Sequence, residues 1–156
     1  MNSQVLKDFG LGLVFIFSQV LFFQHLTIFG TSADPIIFYL LYLTSKYNRI
    51  SLLLLAAAFG LIQDAFFDFW GIFMFSKTLF VFLTYSFIKK RSENQLLVWQ
   101  IFFVILIGSL IHNIIFAWLS SFFDTYVTNY SMLAMIFGNA IYTSFVGCLI
   151  FVFKAK

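Results

Sequence analysis

Long apolar stretches occupy most of this chain, and their length constrains the fold more than any other feature. A helix needs about 20 apolar residues to cross the ~30 Å hydrocarbon core of a bilayer. Five stretches have roughly that length, and a shorter one follows the first of them; the six cover residues 9–29, 35–47, 50–69, 71–88, 96–119 and 132–153. The pattern predicts an all-α integral membrane protein, a six-helix transmembrane bundle whose second helix is short.

The composition excludes a soluble globular protein. Hydrophobic residues make up 62% of the 156 residues and charged residues only 10%, whereas a soluble domain has ~45–50% and ~25%. The first apolar stretch has no small-residue cleavage site, so we expect it to remain as an anchor. No linker, repeat or low-complexity segment separates a second unit. We therefore predict a single transmembrane domain over residues 1–156.

The basic residues predict how the bundle is oriented. Cytoplasmic segments of membrane proteins collect Lys and Arg. With the N-terminus inside, eight of the nine basic residues fall on the cytoplasmic side: Lys7, Lys46, Arg49, Lys89, Lys90, Arg91, Lys154 and Lys156. Asp34 and Asp124 then lie outside. The prediction is a multi-pass protein of the cytoplasmic membrane with both termini in the cytoplasm.

Catalytic and cofactor-binding motifs are missing from the sequence. It has no H-E-x-x-H, G-x-x-x-x-G-K-[ST], G-x-S-x-G or G-x-G-x-x-G pattern, and Cys148 is the single cysteine. We predict no enzyme activity, no metal and no cofactor. The basic run 89–91 beside a helix end is typical of a topology determinant that touches anionic lipid headgroups, so nucleic acid is not an expected partner.

Polar residues inside the third stretch are the strongest functional clue, because ionisable side chains are costly in a membrane. Ala56, Gly60, Asp64 and Asp68 recur every four residues and are expected on one helix face. The two small residues form a small-xxx-small seam that lets another helix approach closely. The seam becomes acidic toward its outer end.

Lys77 is the one basic residue outside the cytoplasmic set. If the chain turns near Trp70, Asp64 and Lys77 lie at similar depths on the two arms of a hairpin. We predict that they face each other as an ion pair, because each side chain supplies the opposite charge that the other needs inside a membrane. The alternative is that Lys77 snorkels to the outer surface while Asp64 sits among headgroups.

Further polar residues fall near the outer ends of other predicted helices. If their faces converge, they line a polar recess that opens to the outside. The alternative is ordinary hydrogen bonding between helices, about 1 kcal/mol for each bond. The residues concerned are Gln24, His25, His112, Asn113 and Asn139.

The hairpin sequence resembles the signature of the MreD family of bacterial rod shape-determining membrane proteins. The match consists of Gly60-Leu-Ile-Gln-Asp64 followed by Gly71-Ile-Phe-Met-Phe-Ser-Lys77-Thr-Leu. In that family G-L-x-x-D ends one helix, and a glycine then precedes the next. Gly60, Asp64, Gly71 and Lys77 are the positions that the resemblance singles out for structural or partner-binding roles.

The resemblance implies a non-catalytic role in the cell-elongation machinery that makes peptidoglycan in the bacterial inner membrane. MreC is the expected direct partner, with MreB, RodA and its transpeptidase in the same assembly. It also implies a fold similar to the S-components of vitamin transporters, so a subunit that binds a small solute is an alternative. A membrane enzyme that uses Asp64 or His112 on a lipid-linked substrate is a third and weaker possibility.

Overall fold

The computed structural model describes residues 3–27, 30–92, 97–122 and 132–155, and this part of the chain is helical throughout apart from short connections. It contains six α-helices: α1 (Ser3–Ser18), α2 (Pro35–Lys46), α3 (Arg49–Phe67), α4 (Ile72–Ser92), α5 (Val98–Phe122) and α6 (Met132–Ala155). A π-helical turn, Gln19–Phe23, extends α1. All but α2 are long and apolar enough to cross a membrane. The predicted helical membrane bundle is confirmed.

The short helix α2 lies in the core of the bundle. Nine of its 12 residues are buried, and it packs against all five other helices. A helix enclosed by protein does not meet lipid, so its length need not match the bilayer. The expectation that α2 is itself a span, tilted or partly inserted, stays a prediction. Asp34 caps its N-terminus and Pro35 occupies the first turn.

Helix α1 begins earlier than predicted, at Ser3 instead of residue 9. Its first turns contain charged residues, which the apolar pattern had excluded. Asp8 is buried, where its carboxylate accepts hydrogen bonds from the Lys46 ammonium at 3.3 Å and from the Tyr47 hydroxyl at 2.7 Å. A buried carboxylate with two partners is compatible with a helix interior, so the start of the apolar run did not mark the start of the helix.

The two ends of the bundle differ in charge. At the basic end, defined by Lys46, Arg49, Lys89 and Arg91, the last turns of α2 and α4 meet the first turns of α1 and α3. There Lys89 donates to the carbonyl oxygens of Thr44 and Ser45, and Arg49 donates to that of Phe82. The acidic end is defined by Asp34, Asp64 and Asp68. That the basic end faces the cytoplasm stays a prediction.

Candidate functional site at the acidic end

Helices α3 and α4 touch backbone to backbone at Gly60. A Cβ atom added there would lie 2.6 Å from the amide nitrogen of Met74 and 2.7 Å from the carbonyl oxygen of Phe73. Such distances leave no room for any side chain. Ala56, Gly60 and Asp64 are all buried on this face of α3, as the four-residue spacing predicted. The close helix contact expected of the small-residue seam is present.

Asp64 caps the N-terminus of α4. One carboxylate oxygen accepts a hydrogen bond from the Phe73 amide at 2.8 Å and the other from the Met74 amide at 2.9 Å. The first amides of a helix have no partner within it, and a negative charge near them is favoured by the helix dipole. Asp64 therefore joins the end of α3 to the start of α4.

The turn between these helices depends on two residues with positive φ. Asp68 has φ 58° and Gly71 has φ 87°, the left-handed region that glycine adopts without steric cost. Helix α3 ends at Phe67, so Asp68 does not continue the buried face and is exposed. The expectation that Asp68 shares the face of Asp64 is wrong for this reason. Gly71 has the turn role that its place between two helices suggested.

Lys77 forms its ion pair with Asp34, so the predicted pairing of Lys77 with Asp64 is wrong. The Lys77 ammonium lies 2.7 Å from an Asp34 carboxylate oxygen and 4.6 Å from the centre of the Phe73 ring. The Lys77 side chain is fully buried, and that of Asp34 is 14% exposed. The two carboxylates have separate tasks: Asp64 accepts from two backbone amides, and Asp34 neutralises the buried cation.

A chain of polar side chains continues from α4 to α6 beside the ion pair. The Ser76 hydroxyl lies 3.3 Å from His112 Nε2, and His112 Nδ1 lies 3.4 Å from the side-chain oxygen Oδ1 of Asn113. The Asn113 amide nitrogen donates to the Ile136 carbonyl oxygen at 3.1 Å. The chain therefore links three helices through groups that would be costly to bury alone.

The order Ser76, His112, Asn113 resembles a nucleophile with its base and an orienting group. Both Ser76 and His112 are buried, with exposed fractions of 0% and 2%, and the Ser76 hydroxyl also contacts the Phe73 carbonyl oxygen at 3.2 Å. A substrate carbonyl has no access to a hydroxyl in this position. The arrangement is therefore suited to holding helices together rather than to acyl transfer.

The segment that carries Asp34 is held against α6. Ser32 and Asp34 donate their backbone amides to the side chains of Asn139 and Thr143, at 2.9 and 3.0 Å. A Cβ at Gly138 would clash with the Thr31 side chain, so the segment passes close to the helix. These contacts determine where the Asp34 carboxylate lies.

The structure brings together some of the predicted recess residues and not others. His112 and Asn113 belong to the polar chain, and Asn139 holds the segment before α2. Gln24 and His25 are exposed at the end of the π-helical turn, where their side chains make no hydrogen bond to any other residue that the structure describes. Asp124 lies outside the described residues.

Sequence reasoning missed three members of this site: the pairing role of Asp34, and the contacts of Ser76 and Thr143. The Asp-Pro pair at positions 34–35 is an N-cap signal that could have tied Asp34 to a helix end. Nothing local marks Ser76 or Thr143, since hydroxyl residues are common in membrane helices. Among the described residues no group of three His, Cys, Asp or Glu side chains could hold a metal ion.

Comparisons with known proteins add no relative: no protein-family model, no curated protein and no solved structure matches this chain.

Proposed function

We propose that this protein is a non-catalytic membrane component of the bacterial cell-elongation machinery, which binds an MreC-like partner and helps to hold the peptidoglycan synthesis complex together. MreB, RodA and the transpeptidase partner of RodA would belong to the same assembly. The protein would lie in the inner membrane with both termini in the cytoplasm. The proposal starts from the resemblance of residues 60–79 to the MreD signature.

One observation carries the proposal: three of the four residues that the resemblance singles out build the α3–α4 hairpin. Gly60 permits the backbone contact, Asp64 caps α4, and Gly71 makes the turn. Lys77 ties α4 to the segment before α2. Three of the four signature residues have roles within the hairpin. This supports a shared hairpin structure, which is more specific than a shared composition.

The tip of this hairpin is the part that we propose contacts MreC. Trp70 is 94% exposed and lies on the turn supported by the Asp64 cap, and Phe66 is 47% exposed and lies at the end of α3 just before that turn. Large aromatic residues on a rigid element are favoured at protein interfaces. The buried ion pair and polar chain beneath the tip make its position independent of the partner.

In-cell crosslinking tests the proposal. A photoreactive residue at position 70 should trap the MreC-like protein of the same cell, identified by mass spectrometry. The same residue at position 54 is the control, because Leu54 is also exposed, at 68%, but lies on α3 away from the tip. Removal of the gene should also turn rod-shaped cells round.

Two results would contradict the scaffold. One is normal rod width after the gene is removed. The other is the absence of an MreC-like chain from the products trapped at every position between 64 and 71. An MreC gene beside the gene for this protein would be an inexpensive supporting observation.

An S-component-type subunit that binds a small solute is the second candidate. The observation that favours it concerns Ser109 on α5, one helical turn from His112. The buried Ser109 hydroxyl has no hydrogen-bond partner among the residues that the structure describes. An unsatisfied buried hydroxyl is a possible contact for a polar ligand. Protein purified in detergent should then retain a vitamin-like molecule through gel filtration, and Ser109→Ala should weaken that retention. Retention of no solute would count against this candidate.

A further inference from the structure

Two partly open cavities lie toward the basic end of the bundle, beside the contact between α4 and α5. The larger, about 300 Å³, is bounded by residues of α2, α4, α5 and α6; the smaller, about 190 Å³, lies between α4 and α5. Ile88, Arg91 and Val104 line both cavities. Most other lining residues are apolar, among them Phe38 and Phe103.

Arg91 is the charged residue in these walls. It lies on the last turn of α4, is exposed, and makes no hydrogen bond or ion pair with any residue that the structure describes. Its neighbour Lys89 is engaged with the carbonyl oxygens of Thr44 and Ser45. Lys90 lines neither cavity. Of the run 89–91, Arg91 alone lines both cavities, and no described residue bonds to its guanidinium.

Apolar cavity walls beside the Arg91 guanidinium favour a ligand that has an apolar chain and an anionic head. The apolar walls favour hydrocarbon and disfavour a free inorganic anion. A guanidinium at the end of such a groove favours phosphate, to which it can donate two parallel hydrogen bonds. Basic pockets between transmembrane helices bind anionic lipid headgroups in this manner.

We propose that these cavities form a binding site for one anionic phospholipid. One acyl chain occupies the larger cavity along α5, and the phosphate contacts Arg91. Zwitterionic lipid binds less well, because its headgroup carries a cation of its own near the phosphate. The site is distinct from the acidic end and does not depend on the proposed role in cell elongation.

Native mass spectrometry of the full chain tests the proposal. The protein is released from mixed micelles that contain equal amounts of phosphatidylglycerol and phosphatidylcholine. The unmodified protein should retain one phosphatidylglycerol in preference to phosphatidylcholine. Arg91→Gln should lower phosphatidylglycerol retention about fivefold, the effect of one cation near a membrane surface, and leave phosphatidylcholine retention unchanged.

Lys90→Gln is the matched control. It removes the same charge at the neighbouring position, and the Lys90 side chain lines neither cavity. It should leave retention of both lipids unchanged. Equal losses of phosphatidylglycerol from Arg91→Gln and Lys90→Gln would indicate diffuse attraction to surface charge and overturn the proposal. Equal retention of both lipids by the unmodified protein would also overturn it.

The position of the acyl chain is tested by a second measurement, photocrosslinking from the lipid itself. Phosphatidylglycerol with a diazirine on its acyl chain should crosslink to the cavity wall, at residues 101–105 of α5, after reconstitution in phosphatidylcholine vesicles. Val104→Trp should reduce this crosslinking by filling the shared wall. Crosslinks confined to the exposed faces of α1 and α3 would overturn the assignment.

Discussion

At the scale of single residues, charge in this bundle is arranged so that each described buried ion has a specific partner. Lys77 illustrates the consequence. A lysine that is fully buried would be strongly destabilising alone, and the Asp34 carboxylate at 2.7 Å offsets that cost. By contrast, Lys46 beside Asp8 is 33% exposed, so water weakens the contribution of that pair to stability.

The Lys77 pairing is tested by combining substitutions. Lys77→Met should lower the free energy of unfolding by about 3 kcal/mol, because it leaves a largely buried carboxylate without its cation. Adding Asp34→Asn should restore most of this loss, since asparagine can still cap α2. Adding Asp64→Asn instead should make the protein less stable still. Steric trapping in bicelles measures these free energies, and equal rescue by either asparagine would contradict the pairing.

The Asp64 cap is tested by comparing two aspartates of the same hairpin. Asp64→Asn leaves one acceptor oxygen where two amides need a partner, so it should cost about 1–3 kcal/mol of stability. Asp68→Asn is the control: Asp68 is exposed and left-handed, a conformation that asparagine tolerates. It should change stability by less than about 0.5 kcal/mol. Thermal unfolding midpoints in detergent compare them, and equal shifts would refute the cap.

At the scale of helices, close packing of α3 on α4 depends on the absence of a side chain at Gly60. Gly60→Ala should force the two backbones apart and cost about 1–3 kcal/mol, despite the better helix propensity of alanine. Gly10→Ala is the control, because a Cβ there has no neighbour within 4 Å; it should be neutral or slightly stabilising. Denaturant titration followed by circular dichroism decides, and a neutral Gly60→Ala would contradict the backbone contact.

The central position of α2 predicts that its leucines matter more than leucines on the surface of the bundle. Leu40 is 0% exposed and Leu54 on α3 is 68% exposed. Leu40→Ala should cost about 2–5 kcal/mol, because it removes packed atoms and leaves a cavity. Leu54→Ala exchanges one lipid contact for another and should cost far less. Similar losses of folded protein on gel filtration for both variants would argue against a buried α2.

At the scale of the whole molecule, the charge difference between the two ends predicts the orientation in the membrane. In a Cys148→Ser background, Trp70→Cys should react with a membrane-impermeant maleimide in intact spheroplasts. Lys90→Cys should react only after the membrane is opened, because basic segments stay in the cytoplasm. The reverse pattern would place the hairpin in the cytoplasm and remove the basis for contact with a periplasmic partner segment.

Much of the fold could be predicted from local properties of the sequence. The class of protein follows from apolar length, and the seam at Ala56, Gly60 and Asp64 follows from helical period. The start of α1 was missed because Asp8 is charged and its burial depends on Lys46 and Tyr47, which are distant in the chain. Depth along the helices predicts a recess that includes Gln24 and His25, but depth does not say which way a side chain points.

What the sequence by itself determined is therefore the set of helices, the clustering of cations at one end and the α3–α4 hairpin with its glycines. These properties depend on residues that are close together in the sequence, so they can be predicted without knowledge of the tertiary contacts. Only the tertiary structure decided that α2 is enclosed and that Lys77 pairs with Asp34, 43 residues away. Both depend on how the segment before α2 lies against α6. Contacts between distant parts of a chain produce no periodic pattern in its sequence.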